Sequence, residues 1–357
     1  MAKPTPLHGE HLADGGRMVD FAGWDLPLHF GSQLQEHRSV RRHGGMFDVS
    51  HMTVIDIAGA RAREFLRQLL TADVDRIEDS GGALYSCLLN EAGGIIDDLI
   101  VYRWSPQEYR LVTNAATRTR VVGWLAQHGP RWDIAPVVAG DLAMIAVQGP
   151  GARRLAAPAL PGGLADAATG LAPFKAVREG RIQVGCTGYT GEDGYEIILP
   201  AADAPALWRR LRQDLPACGL AARDSLRLEA GLRLYGVDMD ETVTPAEAGL
   251  QWTCDLRSEQ RAFIGRAVVA EQQLRGAPRE LTGVVLRDKG MIRAGQTVTV
   301  PGLGTGTITS GGFSPQLDHS IGFARLPAGA ARIGHGTVQI RDQSKTVHIG
   351  STRFLRR

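Results

Sequence analysis

Residues 90–104, NEAGGIIDDLIVYRW, carry the most structural information in this chain. Their two adjacent glycines allow a sharp turn, and the apolar run Leu99–Val101 predicts a strand that is buried on both faces. A buried strand is therefore expected to begin with two carboxylates, Asp97 and Asp98. Because successive side chains of a strand point to opposite faces, this pair cannot share one proton or clamp one metal ion, and one member faces inward.

A carboxylate at the mouth of an apolar strand has two interpretations. Surroundings that shift its pKa would suit it to proton transfer or to holding an amine. Alternatively, both carboxylates belong to an ordinary turn and are solvated. The preceding run Ala83–Leu89 predicts a second buried strand, and the two strands together form a hairpin with Tyr85 near its mouth.

A second informative stretch is residues 187–199, TGYTGEDGYEIIL. Its three glycines let the backbone approach a ligand closely. In the strand that leaves this loop, Glu196 shares a face with Ile198, so it is expected to point where core residues point. A carboxylate there needs a partner, which is either a nearby arginine or a heterocycle that presents an amino group beside a ring N–H.

Residues 221–235 predict one long helix with an unusual arginine at its start. Arg223 opposes the helix dipole, so something anionic is expected beside it: a ligand carboxylate, or Asp224 and its neighbours. Arg227 lies one turn further along the same face and is a candidate to act with Arg223. Glu229 and Arg233 have the spacing of a stabilising helical ion pair.

The composition limits the class of protein. At 357 residues the chain exceeds the usual size of a single core, so we expect two or three domains. Forty Lys and Arg residues balance 38 Asp and Glu residues without a long block of one sign, which argues against nucleic-acid or membrane-surface binding. The four scattered cysteines, the absence of an apolar signal sequence and the absence of a membrane-length apolar run predict a soluble, reduced, cytoplasmic protein.

The last part of the chain has a different character. Composition shifts near residues 276–280, and six short β-prone runs punctuated by Gly and Pro follow. This pattern predicts a small β-barrel or sandwich. The glycines at 149–151 and 302–306 lack the spacing of a phosphate loop, and the carboxylates at 238–241 lack that of a calcium loop, so no metal site is expected.

Together these motifs form an ordered series that closely resembles the aminomethyltransferases of the glycine cleavage system, the T-protein family. The matching blocks are MVDFAGW at 18–24, GMFDVSHM at 45–52, GGIIDDL at 93–99, VQGP at 147–150, TGYTGEDGYE at 187–196, ARD at 222–224 and TSGGFSP at 309–315.

The resemblance implies an α+β fold of three domains arranged as a cloverleaf around a central folate channel. The first domain would comprise residues 1–50 and 138–222, the interleaved second 51–137 and 223–276, and the C-terminal β domain, a barrel or jelly-roll-like structure, 277–357. It also implies transfer of an aminomethyl group from the lipoyl arm of the H-protein to tetrahydrofolate. Ammonia is released and 5,10-methylene-tetrahydrofolate is formed.

The resemblance further assigns residues to the site. Asp98 would be the catalytic carboxylate, which orients the attacking folate amine and takes or relays its proton. Tyr85 and Tyr189 would line the folate, Glu196 would pair with the pterin edge, and Arg223 would supply positive charge. An arginine near the chain end contacts folate in some relatives, and the tail here ends in Arg356 and Arg357 without an assigned match.

Two other classes share this scaffold. One is a folate-dependent demethylase of the same superfamily, against which the full-length series of blocks argues. The other is a folate-binding relative that helps iron–sulfur enzymes mature. Its Lys-Gly-Cys-Tyr-x-Gly-Gln signature has no counterpart here, since Cys186 lies three residues before Tyr189 and not beside it.

Overall fold

The fold is taken from a computed structural model that describes residues 2–355. The helices are α1 His8–Ala13, α2 Gln33–Arg42, α3 Ala62–Leu69, α4 Arg118–His128, α5 Ala152–Ala156, α6 Leu164–Ala168, α7 Ala204–Leu211, α8 Leu220–Ala230, α9 Arg266–Arg275 and α10 Ala330–Ile333. The strands are β1 Lys3–Pro4, β2 Arg17–Phe21, β3 Trp24–His29, β4 Gly45–Asp48, β5 Thr53–Ala58, β6 Gly82–Leu89, β7 Ile95–Ser105, β8 Glu108–Thr113, β9 Val137–Val138, β10 Leu142–Gln148, β11 Ala176–Glu179, β12 Ile182–Gly185, β13 Gly194–Pro200, β14 Arg279–Leu286, β15 Thr297–Val300, β16 Gly304–Ser314, β17 His319–Pro327, β18 His335–Ile340 and β19 Gln343–Gly350.

The chain forms two compact units that are interleaved in sequence. The first contains the residues up to Arg67, Asp73–Ser86 and Asp98–Asp224; the second contains Gln68–Ala72, Cys87–Asp97 and the residues from Ser225 on. Three open sheets have the strand orders β1-β3-β2, β11-β12-β13-β10-β4 and β6-β7-β8-β5-β9. Mixed helices and sheets of this kind confirm the α+β class, while the bounds of the three domains stay a prediction.

The aromatic segment at 17–30 forms a hairpin, with β2 at the edge of its sheet. Strands β2 and β3 are antiparallel, with Phe21 opposite Trp24. Ala22 and Gly23 between them both have positive φ angles, 52° and 81°. A two-residue turn with positive φ at both positions matches the twist of a hairpin, which explains why the chain reverses here.

Strand β7 begins at Ile95, two residues earlier than predicted, so the two carboxylates lie inside the strand. The turn before it is closed by Asn90, whose side chain accepts from the Gly94 amide at 2.9 Å. Asp97 is fully buried and Asp98 only half-buried. The two side chains therefore lie on opposite faces, as the alternation of a strand requires.

The C-terminal part of the chain, predicted as a barrel or a sandwich, is a barrel. All six predicted runs are strands, and they close in the order β14-β17-β16-β15-β18-β19. Alternate residues of these strands fill the interior, as the 0% exposure of Val284, Val298 and Val338 illustrates. Full closure leaves no exposed sheet edge, which suits a domain of short strands.

Helix α8 is shorter than predicted, because it ends at Ala230 where Gly231 takes a positive φ of 81°. Arg233 therefore lies beyond the helix, so the helical spacing on which the predicted ion pair with Glu229 depended is lost. Glu229 accepts from Ser314 Oγ at 2.5 Å, and Arg233 donates to backbone carbonyls. The buried Arg227 pairs with Asp238 at 2.9 Å.

The four cysteines are free: Cys87, Cys186 and Cys218 are buried, and Cys254 is half-buried. Burial raises the pKa of the Cys186 and Cys218 thiols and raises that of Cys254 to about 11. Within residues 2–355, no helix has the length and apolar character needed to cross a membrane.

Candidate active site

Asp98 is held by two side chains from neighbouring strands. Tyr85 donates its hydroxyl to Asp98 Oδ2 at 2.8 Å, and Asn114 donates its amide to Asp98 Oδ1 at the same distance. The Asn114 amide also reaches the Asp98 carbonyl at 3.1 Å. Because each carboxylate oxygen has one side-chain donor, the orientation of the carboxylate is fixed before any ligand arrives.

Opposing effects act on the pKa of Asp98. Burial raises its pKa above the ordinary value, while the hydrogen bonds from Tyr85 and Asn114 pull the pKa partly back. A carboxylate with a raised pKa is a better proton acceptor than a solvated aspartate. These properties are those of a general base.

Glu196 is buried on the face of β13 that it shares with Ile198, as predicted. The main core of this sheet is built from Tyr195, Ile197 and Leu199, so Glu196 and Ile198 lie on the opposite face. That face is also buried, since the carboxylate is only 6% exposed. The expectation that Glu196 shares a buried face with the core residue Ile198 is therefore confirmed.

Glu196 accepts a hydrogen bond from Thr187 Oγ1 to its Oε2 atom at 2.6 Å. Its Oε1 atom has no hydrogen-bond partner among residues 2–355. Burial raises the pKa of this carboxyl, and Thr187 and the positive charge of Arg223 act against that rise. An acceptor oxygen is thus left available for a ligand.

Arg223 lies over the ring of Tyr189, with 4.7 Å from Cζ to the ring centroid. Its Nη1 atom is buried without a hydrogen-bond partner among the described residues. Burial lowers its pKa, which the negative charge of Glu196 counteracts. A buried guanidinium nitrogen without an acceptor is costly, so this donor fits a bound acceptor group.

The loop that carries Thr187 and Tyr189 is pinned by Gln148 at the end of β10. Gln148 donates to the Thr187 carbonyl at 3.1 Å and accepts from Thr190 Oγ1 at 2.8 Å. A Cβ added at Gly188 would lie 1.9 Å from Gln148 Oε1, so the loop and the Gln148 side chain could not both keep their positions. Arg41 adds a bond to the Thr190 carbonyl at 2.8 Å.

Strand β7 relates the Asp98 cluster to the Glu196 cluster. Tyr102 is four residues after Asp98, so both side chains lie on one face of the strand, with Cα atoms about 13 Å apart. The Tyr102 hydroxyl is 2.9 Å from Thr187 Oγ1, the donor to Glu196.

A buried polar network lies near Arg223. Asp48 accepts from Thr5 Oγ1 at 2.6 Å and contacts His11 Nε2 at 2.8 Å. Burial raises the pKa of Asp48, but the bonds and charge of His11 outweigh it and the net pKa is lowered. Burial and the charge of Arg223 lower the pKa of His51 to about 4, so this imidazole is neutral.

The structure brings the predicted site residues into two groups, Tyr85 with Asp98 and Tyr189 with Arg223 and Glu196. Arg356 and Arg357 lie outside the described residues. Sequence reasoning missed Asn114, Thr187 and Tyr102. A polar residue at the end of the run Leu111–Asn114 could have indicated Asn114, but no local pattern marks the other two.

No group of three or more His, Cys, Asp or Glu side chains within residues 2–355 is arranged to hold a metal ion.

Comparison with known proteins identifies the family. Residues 7–258 match the family model described as the GCVT N-terminal domain, and residues 279–355 match the glycine cleavage T-protein C-terminal barrel domain. The second match covers the six-stranded barrel.

Relatives are similar over their whole length. An aminomethyltransferase of Methylococcus capsulatus is 49% identical, with 100% of this chain and 98% of the relative covered. One of Nitrosococcus oceani is 50% identical, with 100% and 95% covered. The crystal structure of glycine cleavage system aminomethyltransferase T from Bartonella henselae has a TM-score of 0.93 at 33% identity, covering 99% of this chain and 98% of that one. The chain therefore belongs to the glycine cleavage T-protein family of folate-dependent aminomethyltransferases.

Proposed function

We propose that the protein takes the aminomethyl group from the lipoyl arm of the H-protein and passes its carbon to tetrahydrofolate. The carbon–sulfur bond to the lipoyl arm breaks, the amino group leaves as ammonia, and the carbon forms bonds to two folate nitrogens as 5,10-methylene-tetrahydrofolate. Of the two N–H protons that these nitrogens lose, one goes to the departing amine and one to the sulfur, which becomes a thiol. Tetrahydrofolate supplies the amines that accept the carbon. The main support is Asp98, a pre-oriented carboxylate with a raised pKa in a chain of this family.

In this proposal Asp98 orients the attacking amine and takes its proton. Tyr85 and Asn114 hold the two carboxylate oxygens, so the base does not have to reorganise as the reaction proceeds. Because its pKa is raised, the carboxylate is a stronger base than a solvated aspartate and can pass the proton to the departing amine.

We assign the pterin end of the folate to Glu196, Arg223 and Tyr189. The free Oε1 atom of Glu196 is an acceptor, and the buried Nη1 atom of Arg223 is a donor. A pterin edge presents an amino group and a ring N–H beside a carbonyl oxygen, which matches these two groups. The Tyr189 ring, already stacked on the guanidinium, would line the heterocycle.

We further propose that the reaction takes place in the cytoplasm. Four free thiols fit a reducing compartment.

The test measures ammonia and methylene-tetrahydrofolate from aminomethylated H-protein and tetrahydrofolate. Asp98→Asn should keep the fold and folate binding but lose roughly 10²- to 10⁴-fold in turnover, because the base is gone. The new amide can accept from Asn114 and donate to a rotated Tyr85 hydroxyl, so the local structure should persist.

Asp97→Asn is the matched control, because it makes the same change at a neighbouring carboxylate on the opposite face of β7. It should retain most of the turnover, although a loss of thermal stability is expected from its full burial. Equal losses in both variants would contradict the role of Asp98. If folded wild-type protein binds folate but yields no product, a demethylase acting on a methylated amine becomes the better assignment.

A further inference from the structure

Three buried side chains form a hydrogen-bonded series that ends at the predicted pterin-binding carboxylate. The Tyr102 hydroxyl lies 2.9 Å from Thr187 Oγ1, which donates to Glu196 Oε2 at 2.6 Å. Tyr102 is 1% exposed, Thr187 8% and Glu196 6%, so water competes little with these bonds. The three residues come from β7, the loop after β12, and β13.

The direction of the series follows from counting protons. A threonine hydroxyl has one proton, and here that proton is given to Glu196. Thr187 can then only accept from Tyr102, so Tyr102 is the donor. Both hydroxyl protons therefore point toward Glu196, an arrangement that favours the ionised carboxylate.

The packing around Tyr102 keeps its phenol in position to donate to Thr187. A Cβ added to Gly185 would lie 2.8 Å from the Tyr102 hydroxyl oxygen, so the backbone of β12 closes against the phenol. Beside it, Arg110 on β8 donates to Gln183 Oε1 at 3.3 Å. The phenol thus has little freedom to turn away from Thr187.

We propose that Thr187 and Tyr102 are positioning residues for folate recognition: they keep Glu196 as a pure acceptor, with Oε2 occupied and Oε1 presented to the amino and ring N–H groups of the pterin. This inference rests on the proposed function of the site. It adds that selection for a heterocyclic edge with two adjacent donors depends on two residues that do not touch the ligand.

The pH dependence of binding provides the readout. Burial raises the pKa of Glu196, and the hydrogen bond from Thr187 is the first effect that lowers it again. The other charged or titratable groups facing the series are Arg223, which acts on Glu196, and Arg110 and Cys186, which act on Tyr102. Loss of the Thr187 donor should therefore leave Glu196 protonated to a higher pH.

The experiment measures the affinity of the full-length protein for tetrahydrofolate by anaerobic calorimetry, from about pH 6 to about pH 9. Thr187→Val keeps the side-chain shape and should weaken binding at neutral pH on the order of 10- to 100-fold, with recovery as the pH rises. Thr187→Ser restores the donor and should stay within about 3-fold of wild type.

Tyr102→Phe carries the same test if Thr187→Val does not fold. It removes only the distal donor, so a smaller loss with the same pH trend is expected. Thr282→Val is the matched control, since Thr282 is a buried threonine in the barrel that donates to the Ala324 carbonyl at 3.3 Å. Its pH profile should equal that of the wild type.

The outcomes separate the inference from the proposed function. Wild-type affinity in Thr187→Val, or a loss that is equal at every pH, would overturn the positioning role while leaving folate binding intact. Failure of folded wild-type protein to bind tetrahydrofolate would overturn the proposed function and this inference with it.

Discussion

At the scale of a single residue, the hydroxyl of Tyr85 affects the pKa of Asp98. It donates to Oδ2 and thereby stabilises the ionised carboxylate. In Tyr85→Phe the pKa of Asp98 should rise further, so the acidic limb of the kcat/KM profile should move to higher pH. On that acidic side the rate should fall by about tenfold, whereas alkaline rates change less.

Tyr109→Phe is the control for this prediction. Tyr109 is a buried tyrosine of β8, 1% exposed, outside the Asp98 cluster. Its pH profile should match the wild type. A Tyr85→Phe profile that is lowered equally at all pH values would mean that the hydroxyl acts on something other than the ionisation of Asp98.

At the scale of single residues, the sequence predicted which side chains belong to the site better than it predicted their hydrogen-bond partners. The strand alternation correctly separated Asp97 from Asp98, because it depends only on neighbouring positions. The partners of Asp98 and Glu196 could not be found in this way. Tyr102 and Thr187 are 85 residues apart in the chain, and a contact of that kind depends on how two sheets pack.

The loop at 187–194 behaves as one element because Gln148 binds it from inside. Gly188→Ala should force this loop away from Gln148, since the new Cβ would lie 1.9 Å from Oε1. We expect a destabilisation of about 1–3 kcal/mol and weaker folate binding, measured by thermal unfolding and calorimetry.

Gly140→Ala provides the comparison within the same unit. A Cβ added at Gly140 meets no atom within 4 Å, so stability and affinity should be unchanged. If both alanine variants bind folate as the wild type does, the close approach of Gly188 to Gln148 is not needed for the site.

At the scale of elements, the strands of the C-terminal part were predicted more accurately than the helix at 221–235. Each barrel strand carries its own alternating pattern and its own turn residues, so local reasoning suffices. The apolar pattern of helix α8 continues in the sequence past Ala230, but the helix itself ends there because Gly231 takes a positive φ. A glycine inside a helical pattern does not by itself indicate that it has a positive φ and ends the helix.

For the whole molecule, buried histidine and aspartate predict sensitivity to acid. His51 has a folded pKa of about 4 against an ordinary value of 6.5, so the unfolded chain takes up a proton first as the pH falls. Stability should therefore decline from pH 6.5 downward, by about 3 kcal/mol once pH 4 is reached. The lowered pKa of Asp48 adds a loss at still lower pH, as that carboxylate becomes protonated.

Chemical unfolding at a series of pH values measures this effect. His51→Gln should flatten the decline below pH 6.5, because glutamine does not titrate. His335→Gln, at an exposed position of the barrel, is the matched substitution and should leave the decline as it is. An unchanged slope in His51→Gln would show that His51 is not held neutral in the folded protein.

The interleaved order of the chain is what sequence reasoning alone could least establish. Residues of the first compact unit come from three separate parts of the sequence. Periodicity indicates which residues are buried but not which distant segments share a core, so the pairing of β10 with both β4 and β13 had no local sign. The interleaved domains in Sequence analysis came from the resemblance to a family, and their bounds stay a prediction.

The placement of the four thiols has a consequence for studying how this protein opens. A thiol reagent attacks the thiolate, and burial suppresses that form at Cys186, Cys218 and Cys254. Modification of the three buried thiols must therefore await a local opening. Because Cys186 and Cys218 belong to the first unit and Cys87 and Cys254 to the second, labelling followed by peptide mass analysis would time the opening of each unit separately, without any engineered probe.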